Sequence, residues 1–564
     1  MPSRMTVICA MGLALAVQAA FVPANESRVR EIAAMLPEKP TMVDPGSALL
    51  SVAKSAGLLG RTEILAKQEV PAFPDKLYNE YWVTGNRTHF QEWQINFLTG
   101  LYALSVEEAK EGRGRFVPAI AARLEAICGW PSWILPAHDW QKANYEGRKN
   151  FVDLRSSGLA RLLARIIWTL GGRLPAATVA HVRKELERRI FTPYLESPEE
   201  LRWFQGRNNW NAVCHSGCVI AALELIEDRT VRARFVEAAE RGSRPYLEYG
   251  FEPDGYCSEG MGYWNYGFGH FLELALAVRS ATGGKVDLLA HPQALKAMRY
   301  PFAYRLNRKV SPNFADGDGA ASATVIATGL KVWPGLKDEL DAELPLRSAF
   351  PDGQVWVMRL PSAAGGKFAL ALKGGHNDEH HNHNDLGSYC MMIGGELVAG
   401  DVGREVYTAR TFGPNRYDSK VISSYGHPVP RVGGCLQGTG RKFAAKVVRT
   451  EFTDARDTVV LDLRGGYDCP ALAVLERTFT FDRKARTATV ADRVRFTEPT
   501  AFESPVLTVA PDKLKGHLAI AATGGGWEKA EEDIPNPGLP TARRIAVRFK
   551  KPVVEATVSF TFRE

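Results

Sequence analysis

Four of the chain's 12 histidines fall within eight residues, in His376-Asn377-Asp378-Glu379-His380-His381-Asn382-His383-Asn384-Asp385. His381 and His383 are two apart, so an extended strand points both to one face. Asp401 follows in Gly400-Asp401-Val402-Gly403, and His427 in Tyr425-Gly426-His427-Pro428. Two imidazoles and a carboxylate from this group make a three-ligand zinc set with a fourth position open to water. The spacing is not the HExxH of a helical zinc protease. A second cluster, Arg207-Asn208-Asn209-Trp210-Asn211, leads through His215 into an apolar helix with Val219, Ile220 and Leu223. Side-chain amides beside an arginine can bind a carboxylate without titrating. The same residues also serve as an Asn cap with a packing Trp. A third cluster runs from Asp254 through Glu259 to Gly267 and carries Tyr263 and Tyr266. Three residues apart on a helix, the two phenols share a face, either as a general acid or base or as a core stripe. Tyr266 comes deeper into the helix, should be held more rigidly, and is the favoured acid or base of the two.

These clusters need elements to hold them. From about residue 26 to 345 the apolar spacing is helical, with helices expected near 90–110, 115–127, 151–172, 209–227, 230–247, 264–281 and 290–300. Leu159, Leu163, Ile166, Ile167 and Leu170 share one face before Gly171-Gly172, and Val179, Val182, Leu186 and Ile190 repeat the spacing before Pro193. Successive helical pairs of this kind form a toroid or bundle. After about Pro345 the period falls to two. Arg477, Phe479 and Phe481 alternate with Thr478 and Thr480, and Val554, Ala556, Val558, Phe560 and Phe562 alternate at the C-terminus. This is the pattern of an antiparallel sandwich. The expected order is residues 1–24 as an export signal, 25–345 as a helical domain and 346–564 as a β domain.

The 564 residues are 45% hydrophobic and 24% charged, an ordinary globular composition that excludes a disordered or fibrous chain. The net charge of +7 is spread out, which excludes a nucleic-acid arm but leaves room for an acidic substrate. Arg4, an apolar stretch from Met5 to Val17 and small Ala19 and Ala20 follow the order of a secretory signal. No later segment reads as a membrane span, so the mature chain is expected in the periplasm or outside the cell. Of the eight cysteines, Cys9 falls in the leader, leaving an odd number with no CxxC pair, expected mostly as buried thiols. No GxSxG, GxxxxGK[ST] or GxGxxG motif occurs in a fitting context. Asp316-Gly317-Asp318-Gly319 lacks the later ligands of a calcium loop and reads as a turn.

Several segments, in this order, resemble the heparinase II/III-like polysaccharide lyases. They are Trp133-Ile134-Leu135-Pro136-Ala137-His138-Asp139, the amide-rich helix start, the Glu259–Gly267 segment, the His380–Tyr389 stretch with Asp401, and the region from Arg416-Tyr417 to Pro430. The resemblance covers nearly the whole mature chain. It implies an (α/α) toroid followed by an antiparallel β-sandwich, and β-elimination on a uronate polysaccharide of heparan sulfate or alginate type. Carried over by position, Asn209 would neutralise the uronate carboxylate. Tyr263 or Tyr266, with His381, would transfer protons, and Tyr417 matches a tyrosine some relatives use in that way. Arg207, Asn208, Asn211, His215, Glu259 and Arg416 would line the substrate site. His383, Asp401 and His427 would hold one structural Zn2+ per chain. Trp210 stands where several relatives have His, which points to His215 as the nearby imidazole, and Pro428 replaces an expected Asn. A uronate epimerase, sharing the first step, and a non-catalytic carbohydrate binder are the alternatives. Hydrolysis has only Glu259 and Asp254 as nearby carboxylates.

Overall fold

A computed structural model describes residues 21–43, 59–317, 319–361 and 366–564. Nearly all of the expected leader, and Asp318, lie outside these residues. Helices run at Thr88–Glu111, Val117–Gly129, Leu154–Leu170, Ala176–Leu186, Asn209–Leu225, Arg229–Tyr249, Gly269–Ala281 and Pro292–Tyr304. Each falls where the apolar spacing places one. The helix Leu154–Leu170 starts on Asp153, whose carboxylate accepts from the amides of Arg155 and Ser156, and it buries Leu159, Leu163, Ile166 and Leu170. The helix Asn209–Leu225 is buried on every side, as its Val, Ile, Ala and Cys content requires. One stop signal fails. Ala176–Leu186 continues through a wide turn, Glu187–Phe191, into Thr192–Glu196. Pro193 follows directly on that wide turn, where the Thr192 amide already reaches back five residues to the Glu187 carbonyl and the regular ladder is interrupted.

The helical half ends at Asp341, and strand β1 (Arg347–Phe350) opens a region whose sheets are all antiparallel, with one short helix at Pro511–Leu514. One sheet is ordered β1, β2 (Val355–Arg359), β3 (Phe368–Lys373), β5 (Tyr389–Ile393), β6 (Glu396–Gly400). A short ladder pairs β4 (His376–Asn377) with β8 (Gly440–Ala444), and β7 spans Arg431–Val432. The largest sheet has six strands. It contains β9 (Lys446–Phe452), β10 (Arg456–Asp462), β11 (Leu472–Asp482), β12 (Thr487–Thr500), β14 (Leu518–Thr523) and β17 (Val553–Arg563). A third sheet joins β7, β13 (Phe502–Thr508), β15 (Trp527–Ile534) and β16 (Ala542–Phe549). The period-two reading holds on β11, which buries Arg477, Phe479 and Phe481. On β17 it holds from Ala556 onward, whereas Val554 is 47% exposed at the strand's start.

The sheet that begins with β1 joins the two halves. Trp356, Met358, Leu370 and Met391 face the sandwich core. Val355, Val357, Ala371 and Met392 face the helical core. Burial on both faces explains why β2, β3 and β5 read as apolar runs without alternation. Arg359 on β2 is fully buried and donates to the carbonyls of Ala303 and Arg305, capping the C-terminal end of the helix Pro292–Tyr304. Burial drives its pKa down, to about 9.

Deeper in the sandwich, buried Arg477 pairs with Asp492 through two bonds of 2.7 Å and donates to the carbonyls of Gly387 and Pro428. It thereby ties β11 to the loops that follow Asp385 and His427. Arg477→Met leaves Asp492 buried and unpaired, so urea titrations should show a loss of roughly 3–5 kcal/mol. Adding Asp492→Leu should recover part of that loss. An equal or larger loss in the double variant would remove the ion pair as the cause.

Candidate active site between the helical and β halves

The sequence clusters meet at the seam of the two halves, in a groove of about 1310 Å³. After β4 the chain from 378 to 388, which carries His380, His381 and His383, is irregular rather than an extended strand, which corrects the two-apart reading. His381 sits in the left-handed region at φ 56°. The loop is braced from behind by buried Lys373 on β3, whose ammonium contacts Glu379 at 2.8 Å and Asp385 at 2.9 Å.

Both histidines nevertheless converge on one group, Asp316. Its Oδ2 accepts from His381 Nδ1 at 3.0 Å and from Arg416 Nη2 at 3.0 Å, and its Oδ1 accepts from His383 Nε2 at 2.9 Å. Burial alone would raise the Asp316 pKa. The two histidine hydrogen bonds and the charges of His383 and Arg416 outweigh it and hold the carboxyl well below the usual range. The Asp-Gly string is thus a turn, as read, but its first residue is central to the site. Gly317 and Gly260 make this possible. A Cβ on Gly317 would meet the Glu259 carbonyl at 2.3 Å, and Gly260 has φ 90° and would meet the Gly317 carbonyl at 2.7 Å. That close backbone approach sets Glu259 next to Asp316.

Tyr263 stacks on the His381 imidazole with centroids 3.9 Å apart, and its hydroxyl is 2.6 Å from that of Tyr407. Tyr407 Oη is also 3.3 Å from His381 Nδ1. Burial raises the pKa of both tyrosines. Tyr266 lines the groove too, but packs on His270 at 5.2 Å. The helix widens at Trp264–Phe268, and although both rings line the groove, Tyr263 rather than Tyr266 meets His381. Asn209 is buried on the groove wall and donates to Glu259 Oε2 at 2.5 Å, an oxygen that lies 3.5 Å from His381 Nε2. Tyr417 exchanges hydrogen bonds with Asn382, and Arg416 donates to the Asn382 carbonyl. These two support the loop carrying His381.

Other expected residues lie elsewhere. Asn208 is the cap of its helix, accepting from Trp210 N, while still facing the groove. Asn211 is buried and donates to the Phe204 and Gly242 carbonyls. Arg207 stacks on Tyr249 at 4.3 Å, outside the groove. His215 is a core residue between Tyr194 Oη at 2.6 Å and the Phe204 carbonyl at 2.8 Å. The imidazole beside Trp210 is instead His138, at 4.5 Å. His138 Nδ1 donates to Asp153 at 2.7 Å, and Nε2 accepts from Arg87 at 3.2 Å. Arg87 was not legible as a site residue. It lies over the Phe412 ring at 4.9 Å, burial lowers its pKa, and among the described residues no carboxylate pairs with it.

Behind His381, the ligand atoms of His383, Asp401 and His427 lie within 4.8 Å of one another, all buried. Each imidazole has one nitrogen on a carboxylate, His383 Nε2 on Asp316 and His427 Nδ1 on Asp401. The other nitrogens, His383 Nδ1 and His427 Nε2, are buried without a hydrogen-bond partner. That donor set fits a metal ion, with Asp316 orienting one ligand. The seven described cysteines are free, with Cys435 exposed and Cys469 half-buried. Among the described residues no helix is long and apolar enough to cross a membrane.

No family model matches the sequence, and no curated protein does. The architecture is nevertheless that of a known class, a helical toroid closed against an antiparallel sandwich, and the fold is heparinase-like. A heparinase III structure matches with TM-score 0.62 at 12% identity, over 82% of this chain and 76% of that one. A second heparinase III gives 0.64 at 12% identity, over 95% and 88%. A heparan sulfate lyase from Pedobacter heparinus gives 0.56 at 14% identity, over 95% and 87%. At this identity the likeness is one of fold.

Burial lowers the His215 pKa from 6.5 to about 4. Its folded pKa lies below the unfolded one, so the unfolded chain binds the extra proton between those values. Stability from this group is complete above pH 6.5 and falls as the pH drops toward 4. The loss should total about 3 kcal/mol, at about 1.4 kcal/mol per pH unit. Urea titrations at several pH values should show a shallower acid loss in His215→Gln. An unchanged slope would contradict the core placement.

Proposed function

We propose that this chain is an exported polysaccharide lyase that cleaves a uronate-containing polysaccharide by β-elimination. The observation that carries this reading is the stacked His381–Tyr263 pair, with Asn209, Glu259 and Arg87 around it at one seam. Elimination needs three things: neutralisation of the carboxylate beside the acidic C–H, a base for that proton, and an acid for the leaving oxygen. Asn209 and the guanidinium of Arg87 supply donors for the carboxylate, and charge-assisted bonds of this kind stabilise the enolate-like intermediate. Asp316 accepts the Nδ1 proton of His381 and so leaves Nε2 to take the C5 proton. The electron pair of the C5–H bond becomes the C4–C5 double bond, and the C4–O bond breaks. Burial keeps the Tyr263 phenol protonated, which suits it to donate to the departing oxygen. Tyr407 is in place to return a proton to it.

We assign one zinc ion to His383, Asp401 and His427, with a structural role: it would fix the loop that carries His381. The heparan sulfate and heparin-type polymers named for the matching structures are the first substrates to test, followed by alginate. We place the division between the two domains at residue 345, and export through the N-terminal segment.

On its true polymer, His381→Ala and Tyr263→Phe should each lower turnover by roughly 10²-fold or more, and Asn209→Ala by roughly 10²–10³-fold. Tyr266→Phe should stay near parental. The assay is the ultraviolet absorbance of the unsaturated product, checked by mass. Turnover without an unsaturated end would favour an epimerase, and parental activity in Tyr263→Phe would move the acid to Tyr407 or Tyr417.

Elemental analysis should find zinc in the purified protein and none in His383→Ala. Asp316→Asn, which alters only the orienting carboxylate, should weaken the metal roughly 10–100-fold in chelator competition. A protein free of zinc, with His383→Ala as stable as the parent, would sink the assignment.

A further inference from the structure

The groove extends along the helical wall well beyond His381, and two indoles stand exposed on that wall. Trp82 is 40% exposed and Trp140 is 57% exposed, and both line the groove. Neither is needed to close a core. Exposed indoles are costly in water, and several on one concave surface mark a binding face. The backbone supports this. Gln141 and Lys142, directly after Trp140, both adopt left-handed conformations, at φ 52° and 56°. Neither is glycine, so the turn is strained, and it is held by a bond from Arg148 to the Gln141 carbonyl. The strained turn displays Trp140. It also sends Lys142 back to Asn79 Oδ1 at 2.6 Å, with its ammonium 5.9 Å from the Trp82 ring centroid. The turn that carries Trp140 is thus tied through Lys142 to the helix Asp75–Thr84, which carries Asn79 and Trp82.

The geometry points to Trp82 and Trp140 as a sugar-stacking platform, a set of subsites for pyranose rings of the same polymer several units from the bond that is cleaved. The substrate class rests on the lyase reading above. The platform itself rests on the two indoles, the strained turn and their continuity with the groove. A pyranose presents a face of axial C–H bonds that packs on an aromatic ring, and its hydroxyls stay in water. Lys149 lines the same wall, but its ammonium is paired with Glu200 at 3.0 Å, so the platform rests on the indoles rather than on charge. The platform would act on binding alone, so it should raise affinity for long chains and leave the chemical step unchanged.

The test uses the full chain with Trp82→Ala, Trp140→Ala and the conservative Trp140→Tyr, each checked for a parental melting temperature. On heparan sulfate octasaccharides, each alanine variant should raise KM roughly 3- to 10-fold, the range of one lost aromatic contact. The kcat should stay within about twofold of the parent, disaccharides and tetrasaccharides should be unaffected, and Trp140→Tyr should restore most of the affinity. Tryptophan fluorescence of the His381→Ala background, titrated with a panel of acidic and neutral polysaccharides, reads binding without cleavage. Cleavage of long chains with unchanged KM in both alanine variants would overturn the platform and leave the lyase reading intact. Binding of some polysaccharide that weakens in both variants, with no elimination by the parent on any substrate, would keep the platform and remove the lyase. No binding of any polysaccharide by the parent would overturn the platform.

Discussion

Asp316 is the group on which the site depends. It is a single buried carboxylate contributed by the helical half, and it meets two histidines and an arginine of the β half. A carboxylate buried without partners would protonate or destabilise the fold. Here three donors hold it ionised, and in return it fixes all three. Its bond to His381 Nδ1 settles which nitrogen of that ring faces the groove. Its bond to His383 Nε2 settles which nitrogen faces Asp401 and His427. One residue therefore links the groove to the metal-type cluster, and any shift of the two halves against each other would be felt at both.

The rest of the fold keeps that contact in register. The sheet that begins with β1 is buried on both faces, so its position is set by two cores at once. Arg359 locks the same sheet to the end of a helix. Lys373 grips the His381 loop at Glu379 and Asp385, on either side of the histidines. A left-handed His381 is a strained conformation, and such strain persists only where the surroundings over-determine it. The ammonium behind the loop and Arg416 beside it provide that control.

Much of this architecture is legible in the sequence because periodicity records burial. The helices follow from stripes such as Leu159 to Leu170, and the outer sandwich follows from alternation such as Arg477 to Phe481. Strands β2, β3 and β5 escape the period-two rule because both of their faces are buried. The candidate site is legible where it is local in the chain, as with the histidine cluster, Asn209 and the Tyr263–Tyr266 segment, though the sequence favours Tyr266 and the fold sets Tyr263 against His381. It is not legible where it is assembled from afar. His215 is adjacent to the amides in sequence and looks like the missing imidazole, yet a helix turns it inward between Tyr194 and Phe204. His138, from a different segment, takes the place beside Trp210. Tyr407 and Arg87 carry no local pattern that distinguishes them from other tyrosines and arginines. Asp316 stood in a conspicuous string, but a motif test for calcium asks only about neighbours in the chain, and its partners lie 65 to 100 residues away.

Arg87 bears on the choice among functions. A half-buried guanidinium is costly unless a carboxylate offsets the lost hydration, and burial does lower its pKa. Nearby acids are already committed: Asp153 to His138, Asp316 to the histidines and Arg416, and Glu259 to Asn209. His138 and Phe412 give the guanidinium a hydrogen-bond acceptor and a π-face but no negative charge. A fold maintains such an arrangement at some cost to its own stability, and the cost is relieved when an anion enters the groove. A neutral sugar would leave it in place. The same groove wall carries Asn209, whose amide gains from a carboxylate but adds no charge. On the proposed lyase reading, an acidic polysaccharide would supply the missing negative charge and a neutral one would not, whether the chemistry that follows is elimination or epimerisation.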